Sequence, residues 1–204
     1  MTVSDSGLHA VEHVRRPRRD ALENAERVLA AAVATMVREG RAVPMSAIAD
    51  AAGVGVATLY RRFPTREALL DALTERSFRI VAELAGTAAA ADGPAIAALV
   101  DYYDNVIDHR DQLILPLHGG PSELGDESRR LQAEIRDSVG SVLDRGRRDW
   151  TIRADVTAAD LIAFGALLVQ PLSGGDSWSD ALRRQRDIYI AGLRPSAPVL
   201  GKAG

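Results

Sequence analysis

The sequence predicts an all-α protein: an N-terminal three-helix helix-turn-helix domain followed by a C-terminal helical bundle, about nine helices in all. Three observations predict it. Apolar residues recur at steps of three and four along nearly the whole chain, the spacing that draws one stripe down a helix. Alternation of period two, long enough for a half-buried strand, appears nowhere. Clusters of Gly, Pro and Asp interrupt the periodic segments where helices are expected to start and stop.

The elements follow in order. From about Asp20 to Glu39, Leu22, Ala25, Leu29, Ala32 and Met36 form one apolar stripe, and Gly40 follows as a C-terminal stop. Pro44 opens a short helix through about Ala52, because its missing N–H costs nothing in a first turn. Gly53 ends that helix, a second short one runs from Val56 to about Arg62, and Pro64-Thr65 precede a long helix beginning near Arg66. Asp92-Gly93-Pro94 break the alanine-rich segment ahead of a helix through about Asp108. A shorter piece, Asp111 to Leu117, ends at Gly119-Gly120-Pro121. A long amphipathic helix covers roughly Glu127 to Arg147, with Leu131, Ile135, Val139 and Leu143 stepping by four. Thr157 with Asp160, and Ser177 with Asp180, fit the capping-box pattern ahead of two more helices. No internal repeat is evident. Residues 17–66 are read as the helix-turn-helix domain and 67–194 as a second helical domain, with 1–16 and 195–204 expected to be flexible.

Composition bounds the function. The chain has 204 residues, 47% hydrophobic and 26% charged, as folded soluble proteins do. It contains no cysteine, which excludes disulfides, thiolate metal sites and cysteine nucleophiles. The N-terminus lacks the apolar core of a signal peptide, and the longest apolar run, Leu161 to Val169, is far too short to span a bilayer. A cytoplasmic protein without membrane contact is expected. The net charge of −3 is uneven: residues 1–66 hold ten arginines and seven acids, leaving +3 there and −6 on the remainder. A basic front half suggests that one end meets a polyanion, although so modest a split also arises by chance.

Two short helices joined by a glycine turn and packed on a longer first helix form a helix-turn-helix. Its inside is read as Ile48, Ala49, Ala52, Val54, Leu59 and Phe63, with Gly53 in the left-handed conformation of the turn. Val56, Ala57, Thr58, Arg61 and Arg62 then face outward, where such side chains can touch thymine methyls, base edges and phosphates. Tyr60 can reach a phosphate through its hydroxyl, and Arg66 sits in the first turn of the next helix beside exposed N–H groups. Ser46 completes the expected DNA-facing set. The arginines at 15, 16, 18 and 19 are either an arm reaching a minor groove or a solvated leader.

The stretch from Asn24 to about Leu73 resembles the DNA-binding domain of the TetR family of bacterial transcriptional regulators. Ile48, Ala49, Ala52, Gly53, Val54, Thr58, Leu59, Tyr60, Phe63, Arg66 and Glu67 stand in the family's order without a gap. The resemblance implies that Thr58, Tyr60 and Arg66 grip phosphates while Val56, Ala57 and Arg62 face bases. The chain departs from the pattern at Pro44 (usually Thr or Ser), Gly55 (commonly Ser), Ala57 (commonly Gly) and Arg62 (commonly His). The first two remove possible phosphate hydroxyls. The last points to guanine, whose O6 and N7 a guanidinium can bond together.

The resemblance also implies a homodimer on a double-stranded DNA operator, governed by a small-molecule effector. The interface is expected on the last two helices: Leu161, Ile162, Gly165, Leu168 and Val169 of a segment apolar nearly all round, then Trp178, Leu182, Gln185, Ile188 and Tyr189. These residues could instead close a monomeric core. An effector pocket is expected among Tyr102, Tyr103, Ile107, Leu113, Leu117, His118, Ile135, Val139 and Phe164, though stripes at helical spacing are also ordinary core.

Other signals carry less. Gly53-Val54-Gly55 begins like a dinucleotide loop, but Thr58 stands at the third glycine and no strand precedes it. His109 and His118 lie near Asp108 and Asp111, and His9 and His13 at helical spacing, yet solvated histidines account for both pairs. Ser122, Ser128 and Ser138 have no evident histidine-acid partners. No catalytic set, metal or cofactor is expected. The class-level alternative is a helical interaction module whose helix-turn-helix docks a protein rather than DNA.

Overall fold

A computed structural model describes residues 12–40, 42–114, 123–170 and 177–197, including their side chains except those of 12–23 and Ser177. Eight α-helices and one 3₁₀ turn make up the described secondary structure, with no strand among the described residues. They are α1 (Glu12–Glu39), α2 (Met45–Ala52), α3 (Val56–Arg62), α4 (Arg66–Ala90) and α5 (Ala95–Asp108), then α6 (Asp126–Arg148), α7 (Ala158–Leu168) and α8 (Ser177–Gly192). The chain divides into two compact units, residues 1–69 and 70–204.

In the first unit, Ala25, Leu29, Ala32 and Met36 of α1 are buried, as the stripe required, and Val28 and Val33 join them. α1 begins about eight residues before the expected Asp20. The apolar stripe carries no information there, and arginine is itself a strong helix former. α2 packs on α1 through Ile48 and Ala49, both fully buried. It ends in a Schellman motif: Val54 N–H donates to Ala49 O at 3.0 Å and Gly53 N–H to Asp50 O at 3.1 Å, with Gly53 at φ 65° and ψ 34°. α3 leaves this turn at a fixed angle, held by Leu59 at 1% exposure and Phe63 at 5%.

In the second unit α5 packs against α6, α7 and α8. Its inward face is Leu99, Tyr102, Tyr103, Val106 and Ile107, and the α6 stripe Leu131, Ile135, Val139 and Leu143 is buried opposite. Arg145 closes the end of α4 by donating to Ala91 O at 2.7 Å and Ala88 O at 3.2 Å, satisfying carbonyls that a helix C-terminus leaves open. Arg186 of α8, itself buried, pairs with Asp104 of α5 at 2.5 Å. The box at α7 is complete: Asp160 N–H donates to Thr157 Oγ1, and Thr157 N–H to Asp160 Oδ2 at 2.8 Å. α8 begins at Ser177 itself, so that residue stands inside the helix.

The short piece expected from Asp111 to Leu117 begins as a 3₁₀ turn rather than an α-helix. Over the described residues 111–114 there is only the end of the 3₁₀ turn Arg110–Gln112, and Leu113 is extended at φ −105°, ψ 126°. Ser77 Oγ accepts the Ile114 N–H at 2.8 Å, which draws the backbone into an extended path that a helix would forbid. Residues 115–122, which include Leu117 and His118, lie outside the described residues.

Gly53 provides a direct test of the turn. A Cβ there meets nothing within 4 Å, so the cost of a side chain is that of the left-handed backbone alone. Gly53→Val should lower the stability of the first unit by about 1–2 kcal/mol. Gly53→Asn should cost less, since asparagine visits this region readily. Urea unfolding followed by circular dichroism reads both, and equal stability of all three proteins would rule the strain out.

Candidate nucleic-acid interface and helical cavity

The outer face of α3 is built by what its inner face buries. Leu59 and Phe63 point into the unit, and the opposite side of α3 points away: Val56 is 39% exposed and Tyr60 46%, and Ala57, Arg61 and Arg62 are exposed as well. α3 contains no acid, and its last turn carries both arginines. Ser46, in the first turn of α2, is exposed, whereas Thr58 is half-buried. Val54, expected inside, is half-buried too.

Two arginines have intramolecular contacts that sequence reasoning missed. The Arg62 guanidinium lies 5.8 Å from the Phe63 ring centroid, within cation–π range, so the ring supports the charge from below. Arg66 is half-buried and donates from Nη1 to Val43 O at 2.6 Å, bracing the start of α4 on the segment before α2. The partners are far apart in sequence, and no local pattern announces the bond. Thr65 caps α4, its Oγ1 accepting the Ala68 N–H at 3.1 Å.

The second unit contains a cavity of about 370 Å³ between α4, α5, α6 and α7. Phe78, Val81, Val106, Ile162, Ala166 and Val169 supply apolar wall, and Gln132 and Arg136 supply polar groups. Of the residues expected to line a pocket, Tyr102 and Ile135 do so. Tyr103, Ile107, Leu113 and Val139 are instead solid core, each at most 5% exposed. Phe164 stacks on Tyr189 with centroids 3.8 Å apart, and Tyr103 meets both rings edge-on. Tyr103 also donates to Leu161 O at 3.0 Å, which joins α5 to α7. His109 Nδ1 lies 2.8 Å from Asn105 O, at the end of its own helix.

Several residues expected at an interface turn inward. Leu161, Leu168, Val169 and Leu182 are buried in their own unit, and Gly165 lies against Tyr103 and Tyr102. Ile162, Gly165 and Val169 line the cavity. The exposed large hydrophobic side chains on these helices are Leu167, at 60%, and Ile188, at 56%. Gln185 is exposed, and Trp178 and Tyr189 are half-buried. Among the described residues no group of acids and histidines could hold a metal, and no helix is long and apolar enough to cross a membrane.

The first unit is thus a helix-turn-helix with an exposed, acid-free second helix. The chain belongs to the TetR family of bacterial transcriptional regulators. Residues 28–73 match the family described as bacterial regulatory proteins, tetR family. A TetR transcription regulatory protein from Mycobacterium vanbaalenii is 33% identical, with 87% of this chain and 99% of that one covered and a TM-score of 0.59. A TetR transcriptional regulator from Streptomyces coelicolor is 32% identical over 85% of this chain and 99% of its own, with a TM-score of 0.55. AibR, solved in complex with isovaleryl coenzyme A and operator DNA, is 16% identical and shares the fold, covering 84% and 98% with a TM-score of 0.63. No curated protein matches the chain.

The aromatic cluster makes the second unit sensitive to alkali. Burial holds the Tyr102 hydroxyl far above its ordinary pKa, and burial together with Tyr189 and Tyr102 does the same to Tyr103. Tyr189 is pushed up to about 12, by burial first and by the charge of Asp160 second. An unfolded tyrosine loses its proton near pH 10 while the folded ones keep theirs, so the unfolded state binds fewer protons above that pH. Stability should be intact below about pH 10 and fall as pH rises toward about 12. Thermal melting across this range should show the fall, and Tyr189→Phe should make it shallower. A melting temperature flat across the range would sink the prediction.

Proposed function

We propose that this protein is a homodimeric, sequence-specific transcriptional repressor, released from a palindromic operator by a small molecule bound in the cavity of the second unit. The observation that carries the DNA-binding part is the outer face of α3: Val56, Ala57, Tyr60, Arg61 and Arg62, exposed together and free of acids. In this reading α3 enters the major groove. Arg62 reads a guanine edge from its seat on Phe63, Tyr60 and Thr58 bind phosphates, and Ser46 and Arg61 add backbone contacts. Arg66 contributes a phosphate contact and also holds α4 to the segment before α2.

Dimerisation through α7 and α8 places two recognition helices on one face of the duplex, about 34 Å apart. The exposed positions Leu167 and Ile188, flanked by Gln185, Trp178 and Tyr189, supply the surface for it. A cavity of about 370 Å³ falls within the size range of small-molecule sites. AibR with its coenzyme A ester, and a gamma-butyrolactone receptor of similar fold, support a ligand-responsive reading. Occupancy that favours a dimer with wrongly spaced recognition helices would release the DNA. Enzymatic activity forms no part of this reading.

Selection of binding sites from a random duplex pool, with the full-length protein, tests the whole. A two-fold symmetric site with guanine in each half is expected. Arg62→Ala should weaken binding by about 1–3 kcal/mol and relax the preference at that base. Tyr60→Phe should cost about 0.5–1.5 kcal/mol at every sequence. Arg66 makes a poorer probe, since its bond to Val43 ties it to folding. Affinity should also fall steeply with salt, losing about 0.9 log units per contacted phosphate for each log unit of salt. A module that docks a protein would enrich no site and show no such slope. Ile188→Glu should yield monomers in light scattering; an unaltered dimer would move the interface elsewhere.

A further inference from the structure

The cavity has an electrically one-sided rim. Gln132 and Arg136 lie one turn apart on α6 and both line it, while no aspartate or glutamate does. Other arginines of α6 are committed: Arg129 to Asp126 at 2.5 Å, Arg130 to Glu127 at 2.7 Å, Arg145 to Ala91 O at 2.7 Å and Arg147 to Val156 O at 2.7 Å. Arg136 makes no ion pair and no hydrogen bond among the described residues, and its side chain is exposed at the cavity mouth. The rest of the wall is largely apolar: Phe78 and Val81 from α4, Val106 from α5, Ile162 and Ala166 from α7 and Val169 just after it, with Tyr102 of α5 adding a phenol. The arrangement is a largely apolar chamber with one guanidinium and one carboxamide on the α6 side and the Tyr102 phenol in its wall.

We propose that the cavity selects a small amphiphilic monocarboxylate, its apolar body in the chamber and its head group on Arg136 and Gln132. A guanidinium fork matches a carboxylate with two parallel hydrogen bonds, and the carboxamide N–H of Gln132 can donate a third. One cation balances one negative charge, which suits a carboxylate better than a doubly charged phosphate ester. An amine would meet Arg136 as a like charge. The volume, about 370 Å³, is near the small end of ligand sites and suits a medium-chain acid. The inference rests on the reading of this cavity as the effector site and adds the chemical class of its occupant.

Octanoate, octanol and octylamine share one chain and differ at the head, so calorimetric titration of the full-length protein with each isolates the charge. Octanoate should bind at least about tenfold more tightly than octanol, about 1.4 kcal/mol, with octylamine weakest. Arg136→Gln should erase that preference and leave octanol binding within about twofold, while Arg136→Lys keeps part of it. Arg136 is exposed, so thermal melting of these variants should match the parent. Ala166→Leu, which fills the chamber, should weaken octanoate and octanol alike. Equal binding of the three probes, or a preference that survives Arg136→Gln, overturns the carboxylate assignment and leaves the effector reading standing. If none of the three binds, or Ala166→Leu changes nothing, the cavity is not an amphiphile site and both readings fall. Octanoate that binds as described without loosening the selected operator keeps the assignment and removes the effector role.

Discussion

The left-handed backbone at Gly53 is the constraint on which the functional surface depends. Two hydrogen bonds converge there, from Gly53 to Asp50 and from Val54 to Ala49, and they close α2 while aiming the chain into α3. With that direction set, burial of Leu59 and Phe63 fixes the rotation of α3 about its own axis. Every outward residue of α3 is then determined by elimination. The surface is an indirect product of core packing, so α3 can vary its outer side chains without disturbing its seat. The departures from the family pattern at Ala57 and Arg62 both fall on this outward face.

Tyr103 has a comparable position in the second unit. It is fully buried, bonds the carbonyl of Leu161 and touches the rings of Phe164 and Tyr189. One side chain thereby ties α5 to both α7 and α8. Beside this tight cluster α5 and α7 also border the cavity. Gly165 marks the border: it lies against Tyr102 and Tyr103 and also lines the cavity. A chain with few aromatics concentrates four of them here, where a rigid wall is useful next to a void. Rigid packing and open volume are adjacent by construction.

Arginines show how one residue type serves different physical ends. Arg145 caps the end of α4, Arg186 pairs with Asp104 inside the fold, and Arg66 braces a turn by bonding a carbonyl. Arg61, Arg62 and Arg136 remain at surfaces where charge can meet a ligand. Sequence alone groups all of these as basic residues on helices. Their partners decide the role, and the partners lie tens of residues away.

Periodicity determined the helical class, the order of the helices and most of their ends, because a stripe at steps of three and four and a break at Gly or Pro are local physics. The helix-turn-helix was legible for the same reason: Gly53, Leu59 and Phe63 lie within eleven residues, and their roles follow from backbone conformation and burial on one short stretch. The cavity was not. Its lining includes Phe78, Val81, Gln132, Arg136 and Ala163, which no stripe distinguishes from core or surface, while Tyr103, Ile107 and Val139 looked equally suitable and became solid core. α7 is apolar on nearly every side, so its sequence could not say which residues face inward; Leu161 and Leu168 do and Leu167 does not. A void is a property of how several helices fail to meet. The sequence by itself therefore determined the local elements and the outward face of α3, and only the tertiary structure decided where space remains and which charge borders it.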